Sequence, residues 1–141
     1  MSKLTLAQAN KTIEAALANA RQLKIKPLAV AVLDDGGHIK SVQREDDATM
    51  FRVDVAIGKA WASVSMGAAS RVLLGRAKEN PQLFGALSAT AKGKFLPQTG
   101  AVLIKDKDGN VLGAAGASGG TGDEDEAACI AGIAAAGLVS G

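Results

Sequence analysis

Residues that could bind a ligand or transfer a proton lie in and beside a glycine-rich stretch near the C-terminus. Residues 113–126 contain five glycines and end in four consecutive carboxylates, Asp123 to Glu126. A backbone this poor in side chains lets a ligand approach closely. The pattern favours a loop that forms one wall of a small-molecule pocket, with ligand contacts expected at Gly116, Ser118, Gly119 and Gly120.

The four carboxylates limit which ligand this loop could hold. Free N–H groups at the start of a helix attract anions, but neighbouring carboxylates repel a phosphate. The spacing also matches neither a P-loop nor a dinucleotide-binding fingerprint. Phosphate is therefore disfavoured, and a tight turn with a charged helix cap is the alternative to a small-ligand site. Asp125 and Glu126 are candidates for proton transfer.

Two cations elsewhere in the chain are candidates to complete the pocket. Arg44 precedes Asp46 and Asp47, and an arginine there could bind a carboxylate through two hydrogen bonds or form an internal ion pair. Either aspartate could instead cap the next helix. Lys59 follows apolar residues in a helix, where a lysine commonly extends to the surface. If it is partly buried, it becomes a cation for an anionic ligand or a proton-transfer group. Asp46 and Lys59 are therefore candidate catalytic residues.

The sequence contains one histidine and one cysteine, His38 and Cys129. A single histidine without a cysteine cluster cannot build a zinc site. His38 could serve as one axial ligand of a haem iron, or be an ordinary surface residue of a turn. Cys129 lies in an Ala-rich helix, which favours a buried and inert thiol.

Composition bounds the class of protein. The 141 residues suit a single domain spanning residues 1–141. Only 3% of residues are aromatic and the net charge is +2, which disfavours nucleic acid and anionic membrane as partners. The lone cysteine fits a reducing compartment, and no apolar signal segment is visible, so a cytoplasmic location is expected. The Ala- and Gly-rich helices predict a homo-oligomer.

The hydrophobic pattern predicts helices alternating with two β-hairpins. The expected elements are a helix capped by Thr5 and Gln8, a hairpin of 28–33 and 39–44, helices from about Thr49 to Met66 and from Arg71, a short helix near 83–87, an edge strand at 94–97, a hairpin of 101–104 and 111–117, and a helix opening at Asp123. Hairpins imply antiparallel pairing, which disfavours a doubly wound nucleotide-binding fold. The predicted class is α+β, with an antiparallel sheet of about five strands flanked by helices.

Several of these segments together resemble the GlcG/HbpS family, which includes the C-terminal domain of PduO-type cobalamin adenosyltransferases. The matching pieces are Ala29-Val-Ala-Val-Leu-Asp-Asp-Gly-Gly-His38, Arg44-x-Asp46-x-Ala48, Lys59-Ala60, Val111-Leu-Gly-Ala-Ala-Gly-Ala-Ser-Gly119 and Asp125-Glu126. The resemblance implies profilin-like α/β/α layers around a five-stranded antiparallel sheet. It also implies oligomers and, in some members, haem binding with a role in redox sensing or haem handling.

Three functions follow as hypotheses. The first is a cytoplasmic oligomeric protein that binds haem or a related anionic small molecule, with Arg44 and Lys59 on carboxylates and His38 on iron. The second is an enzyme of the lyase, isomerase or hydrolase type acting on a small organic acid, with Asp46, Asp125 or Glu126 moving protons. The third is a structural assembly module. The residues alone leave open whether the chain is an enzyme.

Overall fold

A computed structural model describes residues 3–141 and shows one five-stranded antiparallel sheet with helices on both faces. The elements in chain order are α1 (Leu6–Gln22), β1 (Ala29–Asp34), β2 (Ile39–Arg44), α2 (Phe51–Met66), α3 (Ser70–Glu79), α4 (Pro81–Thr90), β3 (Ala101–Lys105), β4 (Val111–Ser118), α5 (Gly122–Ala135) and β5 (Val139–Ser140). The strand order is β2-β1-β4-β3-β5, and every neighbouring pair is antiparallel. The predicted α+β architecture is confirmed.

Strand β1 is apolar on both faces, so helices must pack on both sides of the sheet. Successive side chains of a strand point to opposite faces. Val30 and Val32 pack into the core formed with α1 and α5, whereas Ala29 and Ala31 pack against α2. All four are fully buried. A continuous apolar run of strand length thus produces a sheet enclosed between helices, as the sequence predicts.

Two helices begin with reciprocal capping boxes. Thr5 and Gln8 cap α1 as predicted, each side chain accepting a backbone N–H of the other residue at 3.0 Å. Thr121 and Glu124 cap α5 in the same way. One of the four consecutive carboxylates is therefore used to fix the start of its own helix.

The expected cap of α2 by Asp46 or Asp47 is wrong. The N-cap of α2 is Met50, and no side chain hydrogen-bonds there. Asp47 has a φ of 70°, whereas an N-cap residue typically has an extended backbone. The chain makes a turn at 46–47 before the helix begins, so both aspartates precede it by several residues.

The edge strand expected at 94–97 is also wrong. The backbone there bonds to helices instead of to a strand: Leu96 donates its N–H to the Gly58 carbonyl, and the Phe95 carbonyl accepts from Ser88 Oγ, both at 3.2 Å. The fifth strand is β5, which pairs with β3. No helix within residues 3–141 is both long and apolar enough to cross a membrane.

Candidate functional site

A buried ion pair joins α2 to the first turn of α5. Lys59 Nζ lies 3.1 Å from Asp125 Oδ2 and also donates to the Ala117 carbonyl at 3.0 Å. Lys59 is 6% exposed and Asp125 is 1% exposed. Of the two alternatives for Lys59, the structure thus shows the buried one, and its charge is compensated because a buried ammonium without a partner would be costly.

Burial and hydrogen bonding act in opposite directions on the pKa of the Asp125 carboxyl. Burial raises the pKa of Asp125 above its ordinary value, although the Lys59 ammonium and the Gly120 N–H oppose this rise. The Gly120 N–H donates to Asp125 Oδ1 at 2.9 Å. Both carboxylate oxygens are therefore fixed in place by hydrogen bonds from neighbouring elements.

Lys59 and Asp125 line a cavity of about 460 Å³ where α2, the end of β4 and the start of α5 meet. We name it the Arg52 cavity; its polar lining includes Arg52, Lys59, Thr99, Ser118, Gly120 and Asp125. Arg52 lies in the first turn of α2 and donates to Ser118 Oγ at 3.2 Å. Arg52 was not among the residues predicted from the sequence. Its position seven residues before Lys59 places both cations on one face of the helix, and that spacing was the available signal.

The other carboxylates of the acidic stretch are held outside the ion pair. Arg71 of α3 binds Asp123, and its Nε lies 3.2 Å from Glu126 Oε2. Glu124 completes the α5 cap. Glu126 thus forms a surface ion pair and does not line the Arg52 cavity. Asp125 is the buried member of the four.

The structure does not bring Arg44 or Asp46 to Lys59. Both line a separate depression of about 540 Å³ that also contains Arg21 and Glu45. The Arg44 guanidinium donates to the Ala48 carbonyl at 2.6 Å, because the chain turns back beside it at the end of β2. The expectation that Arg44 and Lys59 complete one pocket is therefore corrected, and Arg52 is the arginine beside Lys59.

Some residues of the glycine-rich stretch line the Arg52 cavity, and others allow neighbouring elements to pack closely. Ser118 and Gly120 line the Arg52 cavity, whereas Gly116 and Gly119 do not. A Cβ on Gly116 would lie 2.4 Å from the Ala56 carbonyl oxygen, and one on Gly119 would lie 2.1 Å from the Pro27 carbonyl oxygen. These two glycines allow α2 and the segment before β1 to pack closely on the end of β4.

His38 lies in a second concave region, which we name the His38 cleft. This cleft of about 510 Å³ is lined by His38, Ile39, Ile57, Trp61 and Lys94, among others. The His38 side chain is 83% exposed, and its Nδ1 lies 3.5 Å from Asp34 Oδ1. Burial acts to raise the pKa of Asp34, but N–H bonds from His38 and Gly36 outweigh it and hold that pKa below its ordinary value. An ionised carboxylate therefore faces Nδ1 and leaves Nε2 as the free nitrogen.

Cys129 is a buried free thiol, as the sequence predicts. Burial raises its pKa strongly, so it is an inert side chain and not a nucleophile. Within the described residues 3–141, no group of three or more His, Cys, Asp or Glu side chains could hold a metal ion.

Comparison with known proteins establishes the family. Residues 4–134 match the family described as haem degrading protein HbpS-like, and the chain belongs to it. A 15.0 kDa protein encoded between dhaT and dhaS in Citrobacter freundii is 29% identical over 89% of this chain and 86% of its own length. Corrinoid adenosyltransferase PduO of Salmonella typhimurium is 31% identical over 79% of this chain, which spans about a third (32%) of that enzyme.

A solved structure extends the likeness to nearly every residue. The crystal structure of a complex of PduOC with haem superposes with a TM-score of 0.86 at 28% identity, covering 97% of both chains. The resemblance inferred from the sequence motifs and the fold that it implies are therefore confirmed.

Proposed function

We propose that this chain is a haem-binding protein and that the His38 cleft holds the haem. The observation that carries the proposal is an exposed imidazole at the rim of a cleft whose walls are mainly apolar and also contain Asp54 and Lys94. Ile57 and Trp61 belong to α2 and provide apolar surface for a flat macrocycle, while Lys94 provides a cation for a carboxylate. Support comes from membership of the HbpS-like family and from the likeness to the PduOC–haem complex.

The residues present fit a haem with one protein ligand. Histidine is a common axial ligand of haem iron. The Asp34 carboxylate lies 3.5 Å from Nδ1, the other ring nitrogen, and leaves Nε2 open to a ligand. Haem supplies redox-active iron when bound; Ile39, Ile57 and Trp61 would exclude water from its face. His38 Nε2 would hold the metal.

A haem titration tests this proposal. Haemin added to the protein is expected to give a Soret band that saturates, and His38→Ala is expected to weaken binding at least tenfold and to remove the spectrum of a histidine ligand. Asp35→Ala, an exposed neighbour in the same turn, serves as the control and is expected to behave like the wild type. An unchanged spectrum and affinity in His38→Ala would exclude the iron-ligand role. Absence of a Soret band in the wild type would refute haem binding itself.

We propose further that the protein is a homo-oligomer. Met50 and Phe51, at the start of α2, are 80% and 59% exposed, and two adjacent large apolar side chains are unusual on a monomer surface. Burying them against a second copy would remove this apolar area from water.

Light scattering after gel filtration tests the assembly. The wild type is expected to have a mass of at least two chains, and Met50→Ser/Phe51→Ser is expected to shift it toward 14.2 kDa. Leu83→Ser, at an exposed site on α4, is the control and should leave the mass unchanged. A monomeric wild type, or a double variant of unchanged mass, would contradict this surface.

A further inference from the structure

The Arg52 cavity carries a positive charge that the protein itself does not neutralise. Four charged side chains line it: Arg52, Lys59, Asp123 and Asp125. Lys59 is paired with Asp125, and Asp123 is bound by Arg71. Among residues 3–141, Arg52 forms no ion pair. The net effect is one guanidinium without a counter-charge facing a polar cavity, with its carbon 5.7 Å from the centre of the Phe51 ring.

Hydrogen-bond donors accompany this charge. Ser118 is 1% exposed, and its hydroxyl accepts from Arg52, so its own proton is free to donate. The Lys59 ammonium has three donors, of which the Ala117 carbonyl and Asp125 use two. The third N–H is available to a ligand. Arg52 and Ser118 thus form one donor group, and Lys59 forms another two helical turns along α2.

The charges and hydrogen-bond donors that line the Arg52 cavity determine which class of ligand can bind there. A phosphate dianion would lie near both Asp123 and Asp125, whose carboxylates repel it. Several amide groups at the start of α5 are already used, because Gly120 donates to Asp125, and Thr121 and Glu124 each donate to the other's side chain. A metal cation is disfavoured because the Lys59 ammonium already lies at Asp125. A monoanion that accepts hydrogen bonds from a guanidinium is the best match.

We propose that the Arg52 cavity binds a small organic acid, distinct from haem. Its carboxylate pairs with the Arg52 guanidinium and accepts from the Ser118 hydroxyl, and a hydroxyl or carbonyl oxygen elsewhere in the acid accepts from Lys59. Arg52 and Lys59 are seven residues apart, so their Cα atoms are separated by about 10 Å along the helix. Their side chains nevertheless converge on adjacent residues of β4, since Arg52 donates to Ser118 Oγ and Lys59 donates to the Ala117 carbonyl. A ligand whose second oxygen lies a few bonds from its carboxylate can therefore meet both.

The cavity is separated from the His38 cleft by the segment that crosses α2 at Gly58. Leu96 bonds to Gly58 at the crossing. Gln98 and Thr99, after the crossing, line the Arg52 cavity, whereas Gly93 and Lys94, before it, line the His38 cleft. Haem also carries carboxylates, so the experiment distinguishes a haem carboxylate from that of a separate small acid.

The site is tested by titrating isotope-labelled protein with three probes. The measured quantity is the NMR chemical shift of the backbone amides of residues 120–122. The probes are 4-hydroxybutyrate, butyrate and inorganic phosphate. The hydroxy acid is expected to shift these amides saturably, butyrate to bind several-fold more weakly, and phosphate to bind least. Arg52→Gln is expected to raise the dissociation constant of 4-hydroxybutyrate about tenfold or more, because a charged hydrogen-bonding partner is lost. Arg76→Gln, at an exposed arginine of α3, is the matched control and should bind like the wild type.

Each other outcome overturns the proposal in whole or in part. If neither acid shifts the amides, or if Arg52→Gln binds both acids normally, the cavity is not a carboxylate site. If phosphate binds as tightly as the acids, the proposed ligand class is wrong. If butyrate binds as tightly as 4-hydroxybutyrate, Lys59 does not bind the second oxygen of the acid. If Arg52→Gln weakens haem in the Soret titration while no acid binds, the carboxylate belongs to haem. His38→Ala separates the two sites, because it should abolish haem ligation and leave acid binding intact.

Discussion

Lys59→Met is expected to destabilise the protein by about 3–5 kcal/mol at neutral pH, because it leaves the Asp125 carboxylate buried without its counter-charge. Methionine keeps much of the lysine volume, so loss of packing contributes little. The measurement is the free energy of unfolding from urea denaturation. Lys78→Met, at an exposed lysine of α3, is the control and should change that energy by no more than about 0.5 kcal/mol.

The same variant has a distinctive pH dependence. The pKa of Asp125 is raised in the folded protein by burial, and removal of the ammonium raises it further. A carboxyl whose pKa is higher in the folded than in the unfolded state favours folding below its ordinary pKa and loses that contribution as pH rises through the folded value. The destabilisation should therefore be small near pH 4 and grow toward pH 8. Lys59→Met/Asp125→Asn should recover most of the loss, and a pH-independent loss would contradict the ion pair.

Gly132→Ala is expected to cost about 1–3 kcal/mol by overpacking the contact between α5 and α1. A Cβ on Gly132 would lie 2.2 Å from the Thr12 carbonyl oxygen and 3.1 Å from Ala16 Cβ. The nearest atom belongs to the backbone, so a side-chain rotation cannot relieve the clash and the two helices must separate. Urea denaturation again measures the change.

Gly85→Ala is the matched control for this substitution. Gly85 also lies inside a helix, but a Cβ there would have no atom within 4 Å. Alanine favours the helix over glycine by roughly 1 kcal/mol. Gly85→Ala should therefore stabilise the protein while Gly132→Ala destabilises it. Equal effects of the two variants would show that helix propensity and not close packing decides the outcome at Gly132.

The sequence predicts most of the architecture because its strongest signals are local. The apolar run before Asp34-Asp-Gly-Gly37 and the turn before Val111 define two hairpins, and the Thr5–Gln8 box marks the first helix. The β5 strand has two residues, too few for a periodic pattern. The segment 94–97 was expected to be a strand, but its backbone bonds to Gly58 and Ser88, and β5 forms the edge of the sheet beside β3.

The site is less predictable because it depends on contacts between distant residues. Lys59 and Asp125 are each recognisable as candidates, yet their pairing spans 66 residues and requires α2 and α5 to meet at the end of β4. Arg44 has the same chemistry as Arg52, but the local turn at Ala48 takes its guanidinium. Only the packing of α2 along β4 shows that Arg52 is the arginine that reaches Ser118.

The most direct test of haem binding in the His38 cleft is a crystal structure of the haem complex with the iron located by anomalous scattering. An iron peak is expected within bonding distance of His38 Nε2, with the macrocycle against Ile57 and Trp61. An iron peak in the Arg52 cavity, or one away from His38 altogether, would contradict it.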